Sequence, residues 1–222
     1  MQVEIKQIKK SYGKKQVLKD VSFTAQSGSC IGILGSNGSG KSTLLAILAG
    51  VLRRDGGSFF CDGTDLFRDP ALRAELVGYV PQGTPLLEEL SAKDNLLLWY
   101  DKKTMEQELE SGVLNLLGIQ EFLKVPVSKM SGGMKKRLSI GCAMAKRPPI
   151  LLLDEPTAAL DLACKQSIAT YLDRYKRSGG ILLLTTHDVM ELQMCDAWYI
   201  MKDGALTPFC YDGDVNKLVE SL

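Results

Sequence analysis

The chain has very little histidine, a single one at position 187, and almost no net charge: 27 basic residues stand against 26 acidic ones over 222 residues. A formal charge of +1 sets up no global field towards DNA, RNA or anionic lipid, so no nucleic-acid partner is expected. The six cysteines, at 30, 61, 142, 164, 195 and 210, are scattered and form no CxxC pair. Neither a zinc site nor a disulfide framework is signalled, and a reducing cytoplasmic setting is expected. No apolar run approaches the ~18 residues of a membrane span, and the stretch Met1-Gln2-Val3-Glu4-Ile5-Lys6 carries no signal-peptide h-region. A soluble globular chain is expected, and work at a membrane would need another chain to span it. With 45% hydrophobic residues it can bury one good core and a small subdomain.

What is present is most informative at Gly35-Ser36-Asn37-Gly38-Ser39-Gly40-Lys41-Ser42-Thr43, which follows the apolar run Cys30-Ile31-Gly32-Ile33-Leu34. The order is strand, glycine loop, helix start. Gly35, Gly38 and Gly40 permit positive φ angles, so successive N–H groups can converge on one anion at a helix N-terminus. Such a nest suits a triphosphate. Lys41 adds a positive charge for the β and γ phosphates, and Ser42 is placed to ligate a bridging Mg²⁺. The helix runs on through Ala49 to Gly50.

Before this loop, Val3 and Ile5 alternate with polar neighbours, as do Val21 and Phe23, which predicts half-buried antiparallel strands. Between them Ser11-Tyr12-Gly13 is a turn whose aromatic ring could stack on a purine base. After the loop's helix, residues 56–60 and 77–80 read as strands, separated by a polar, partly helical segment over 64–75. The second strand leads to Pro81-Gln82-Gly83, where the glutamine carbonyl could reach Mg²⁺ or an attacking water.

Over 86–129 strand signals vanish, and 92–100 and 104–117 show apolar residues at helical spacing, the pattern of an inserted helical subdomain. Leu96, Leu97, Leu98 and Trp99 are expected mainly in its core. Ser131-Gly132-Gly133 then opens a helix over 134–146. Ser131 is a natural N-cap, and the exposed N–H groups with Lys135, Lys136 and Arg137 would make a second anion site.

Residues 150–153 are a continuous apolar run, as in a parallel strand covered on both faces, and deliver Asp154 and Glu155 to the strand's C-terminal edge. Asp154 can hold Mg²⁺, and Glu155 can orient and deprotonate a water for attack on the γ phosphate. Residues 181–184 repeat the pattern and lead to Thr185-Thr186-His187-Asp188, where His187 could sense the same phosphate. The chain closes with a strand near 198–201, an Asp203-Gly204 hairpin and a polar helix over 214–222.

Tyr12, the 35–43 loop, Gln82, Ser131-Gly132-Gly133, residues 150–156, Ala159-Leu160-Asp161 and His187 resemble, in order and spacing, the motifs of ATP-binding cassette (ABC) ATPase domains. The resemblance covers essentially the whole chain. It implies an α/β P-loop NTPase fold with a mainly parallel central sheet, an N-terminal antiparallel β subdomain and an inserted helical subdomain. It also implies one domain over 1–222, with 1–85 and 147–222 as catalytic core and about 86–146 as the helical part. Tyr12 would stack on adenine. Glycine-loop residues and Ser131 to Gly133 would bind ATP. Gln82, Ser42 and Asp154 would meet Mg²⁺, while Lys41, Gln82, Glu155 and His187 would act in hydrolysis, with Asp161 in the D-loop. The motif reads Met130-Ser131-Gly132-Gly133-Met134 where the family usually has Leu-Ser-Gly-Gly-Gln, so Met134 lacks the glutamine hydrogen bonds; this variant resembles exporter cassettes of the multidrug or ABC-2 type. The extra β regulatory domain of many importers is not expected after the last hairpin.

No arginine finger can be assigned in cis. The resemblance implies instead a head-to-tail homodimer or heterodimer, each signature serving the partner's ATP, with a transmembrane permease holding the chain on the inner face of the membrane. A soluble ABC ATPase in iron-sulfur assembly, cell division or translation is the alternative, and a P-loop small-molecule kinase a third reading. Ser131-Gly132-Gly133 together with His187 argues against the kinase.

Overall fold

The computed structural model describes residues 1–158, 160–186, 188–213 and 220, with only the backbone of 189 and 190. His187, Ala159 and most of the expected terminal helix lie outside the described residues. The chain begins with β1 (Gln2–Tyr12) and β2 (Lys15–Gln26), then β3 (Cys30–Leu34) and α1 (Lys41–Ala49). Next come β4 (Gly56–Cys61), β5 (Thr64–Asp65), α2 (Pro70–Leu76) and β6 (Val77–Val80). A helical stretch follows: α3 (Ala92–Leu97), α4 (Lys102–Ser111), α5 (Val113–Leu116), two 3-10 turns and α6 (Gly132–Ala143). The chain then runs through β7 (Ile150–Asp154), α7 (Leu162–Arg177), β8 (Ile181–Thr185), α8 (Val189–Leu192), β9 (Ala197–Lys202) and β10 (Ala205–Phe209).

These strands form two sheets: an antiparallel one in the order β2-β1-β4-β5, and one in the order β10-β9-β3-β8-β7-β6 that is parallel except for its β9-β10 edge hairpin. Period-2 alternation explains why β7 and β8 are apolar at each of their first four positions. Ile150, Leu152, Ile181 and Leu183 join the core shared with α1 and the antiparallel sheet. Leu151, Leu153, Leu182 and Leu184 face the opposite way, into the core built by the helical stretch and α7. The parallel sheet is therefore a middle layer, and its strand ends are the edge where an α/β fold assembles its site.

Two expectations for the helical stretch need correcting. The segment over 104–117 is not one helix: at Gly112 the backbone is extended (φ −99°, ψ −154°), which ends α4 and begins α5. The buried Glu108 carboxylate caps the break, accepting a hydrogen bond from Val113 N–H at 2.7 Å. Leu96 and Tyr100 are buried as expected, but Leu97 is partly exposed, and Leu98 and Trp99 stand 58% and 64% exposed. Leu96 and Tyr100, about one turn apart, take the inward face, so Leu97 falls on the outer face of α3, and Leu98 and Trp99 follow the helix end.

Candidate nucleotide site

Residues 35–43 leave β3 and enter α1. Gly40, immediately before the helix, has φ 114°, and a Cβ there would stand 2.9 Å from Leu18 Cδ2 and 3.0 Å from Val17 O. At Gly35 an added Cβ would lie 2.3 Å from Met201 O. Any other residue would push the loop off β2 and β9, so glycine is required sterically as well as for φ. Among the described residues no side chain caps α1, and its first turn holds no acidic residue, so no side chain competes with an anion for its leading N–H groups. The Ser39 hydroxyl is buried and has no hydrogen-bond partner among the described residues, a polar atom that suits a ligand in the loop.

Lys41 is buried and donates to Gly35 O at 2.5 Å and Ser36 O at 3.1 Å. Burial lowers its pKa, against the opposing pull of the Glu155 and Asp154 carboxylates. Beside the loop lies a cavity of about 480 Å³ whose lining includes Ser36 to Ser39 and three cations, Lys15, Lys19 and Lys202. Tyr12 pairs with Lys15 across the β1-β2 hairpin, half exposed, with the Lys10 ammonium 5.2 Å from its ring centroid. The aromatic residue is thus one cross-strand step from the cavity wall.

The carboxylates are set by strand register. Leu153 is opposite Val80 on β6, so two residues further on Gln82 and Glu155 meet: Gln82 Nε2 donates to Glu155 Oε2 at 2.9 Å. Asp154 is opposite Thr185, whose hydroxyl donates to Asp154 Oδ1 at 2.6 Å in a buried setting. Glu155 takes φ 47°, unusual for a residue with a side chain and costing on the order of 1 kcal/mol. Its N–H offsets this by donating to both Thr185 O and Thr185 Oγ1 at 3.1 Å. Thr185 thereby holds the Asp154 carboxylate and the Glu155 backbone. It was visible in the sequence only as part of the run before His187, and the signal was a hydroxyl one strand over from Asp154.

Ser131, Gly132 and Gly133 open α6. Ser131 Oγ accepts from Met134 N–H at 3.2 Å, the expected cap. A Cβ on Gly133 would meet Cys164 Sγ at 2.4 Å, so this turn packs against the start of α7, where Asp161 is the N-cap. The basic run behind it does not form an anion site. Lys135 pairs with Glu88 at 3.1 Å, Lys136 turns inward, and Arg137 donates to Leu117 O while lying over the Phe122 ring at 4.9 Å. Among the described residues no hydrogen bond joins Ser131 to Gly133 with the 35–43 loop.

The family model described as ABC transporter matches residues 18–158, more than half of the chain. The chain belongs to this ABC family. The linearmycin resistance ATP-binding protein LnrL of Bacillus subtilis is 32% identical over 209 residues, 92% of this chain and 67% of that protein. The Nod factor export ATP-binding protein I of Sinorhizobium fredii is 35% identical over 207 residues, 91% of this ABC chain and 60% of that protein. Among solved structures, a dimeric post-hydrolysis cassette bound to ADP and Pi superposes with a TM-score of 0.82 at 26% identity, covering 96% of this chain and all of that one.

Proposed function

We propose that this chain is the ATP-binding and ATP-hydrolysing subunit of an ABC exporter. The observation that carries the reading is the convergence of a glycine loop and its buried Lys41 with Asp154 and Glu155, the two carboxylates whose charges act on that lysine. The loop binds the triphosphate, Lys41 offsets its charge, and Tyr12 with the neighbouring cavity takes the base and ribose. Glu155 orients a water and accepts its proton during attack on the γ phosphate, and Gln82 holds the carboxylate in place. Ser42, Asp154 and the Gln82 amide oxygen are hard oxygen donors of the kind Mg²⁺ takes along with phosphate oxygens, and the ion when bound would neutralise phosphate charge. His187 is assigned to the γ-phosphate edge by its place after β8.

Two chains, identical or related, bind head to tail, so that Ser131 to Gly133 complete the partner's site. The division into a core over 1–85 and 147–222 and a helical part over about 86–146 belongs to the same reading. No described helix is long and apolar enough to cross a membrane. Membrane association therefore runs through a permease, docked on the exposed Leu87, Leu98 and Trp99 that lie beyond Gln82. The relative named for Nod factor export supports export as the direction.

Phosphate release from ATP by the purified chain, compared with Lys41→Ala, tests this. Loss of nucleotide binding and turnover in the variant is expected. Equal turnover, or phosphate appearing on an acceptor rather than in solution, contradicts it.

A further inference from the structure

Lys136 is the second cation of the basic run after Ser131-Gly132-Gly133, yet it is only 5% exposed. Its Nζ donates to Pro81 O at 3.0 Å and Gln82 O at 3.1 Å, two successive carbonyls of the turn that follows β6. Burial lowers its pKa, and the fields of Asp154, Glu191 and Glu155 act in the opposite direction. A buried ammonium held by neutral carbonyls is costly compared with an apolar side chain of the same length. Packing alone therefore gives no reason for a lysine here.

The geometry does. Gln82 is gripped at both ends: its backbone carbonyl by Lys136 of α6, its side chain by Glu155 at the end of β7. Lys136 lies one turn into the helix capped by Ser131, so any shift of α6 is passed by a short, charged strut to the turn carrying Gln82. We propose that Lys136 is a positioning residue for hydrolysis: it fixes the 81–82 turn so that Gln82 meets Glu155, and so makes the water-activating carboxylate respond to the position of α6. This rests on the reading of Glu155 as the base. Lys136 itself touches no residue of the 35–43 loop by hydrogen bond among the described residues, so nucleotide affinity should not depend on it.

The test is a double-mutant cycle on the full chain with its dimer intact, reading kcat, KM for ATP and the Kd of a non-hydrolysable ATP analogue. Lys136→Met keeps the apolar stem and removes the donor; kcat should fall about 10-fold, since displacements near 1 Å at a reacting group have costs of that order or larger. Analogue Kd should stay within about 3-fold of wild type, because binding and positioning are separate terms. Gln82→Ala should show a similar fall, and Lys136→Met/Gln82→Ala should be no worse than Gln82→Ala alone. Lys136→Gln, which keeps an N–H donor, should recover part of the loss, and it replaces Lys136→Met in the cycle if that variant does not fold. Wild-type kcat in Lys136→Met, or losses that multiply in the double variant, would overturn the proposal while an inactive Glu155→Gln still upholds the site. Wild-type turnover in Glu155→Gln would remove the reading beneath it.

Discussion

Gln82 and Glu155 follow the ends of two neighbouring strands, β6 and β7, 73 residues apart, and are joined by a 2.9 Å hydrogen bond from the amide to Oε2. The pairing follows from parallel register, since Val80 is opposite Leu153 and each residue stands two beyond its strand partner. One link thus connects the turn after β6, the edge strand leading into the helical stretch, to the Glu155 carboxylate. Because Glu155 is also held by Thr185 at its backbone, any adjustment falls on the Gln82 side, where the turn is exposed.

The signature turn should act across the dimer. Lys41→Ala and Ser131→Arg are each expected to be inactive as homodimers. In a mixed dimer one site carries both lesions and the other none, so ATP turnover should return in part. A mixture of proven heterodimers with no more turnover than either parent, and no site that retains ATP, would count against shared sites.

Leu98 and Trp99 should be contacts of the membrane partner. Trp99→Asp alters an exposed position outside both cores, so ATP binding and fold should be unchanged. Co-expressed with its permease, the wild-type chain should sediment with membranes and the variant should be released. Equal sedimentation of the two would show that docking occurs elsewhere.

Stability should depend on Glu108 far more than on its partner Arg147. The carboxylate is buried and caps Val113 N–H, whereas the arginine side chain that pairs with it is 77% exposed. Glu108→Ala should cost about 1–3 kcal/mol in urea unfolding, because a buried N–H loses its acceptor. Arg147→Ala should cost about 1 kcal/mol or less, as for other exposed ion pairs. Equal losses would mean that the ion pair, not the cap, carries the effect.

Much of this was readable from residue order alone. The 35–43 loop, the buried strands ending at Asp154 and Thr185, the Ser131 cap and the Asp203-Gly204 hairpin all depend on local patterns, and each lies where its pattern put it. What escaped was tertiary. Lys135, Lys136 and Arg137 read as part of a second anion site because their partners, Glu88, Pro81, Gln82 and Leu117, come from segments whose placement no local rule fixes. Trp99 read as core because apolar spacing does not reveal that α3 stops at Leu97. The helical spacing over 104–117 does not reveal the break at Gly112, where the Glu108 carboxylate fills the space beside the backbone: a Cβ on Gly112 would sit 1.9 Å from Glu108 Oε2.

The central claim is that Glu155 activates the water that attacks ATP, and turnover by Glu155→Gln tests it most directly. The variant keeps the shape of the side chain and leaves Lys41, Asp154 and the glycine loop untouched. Hydrolysis should slow at least ~10²-fold, the scale of a lost general base, while ATP is still bound and the protein accumulates as an ATP-loaded dimer. Turnover close to wild type would contradict the assignment.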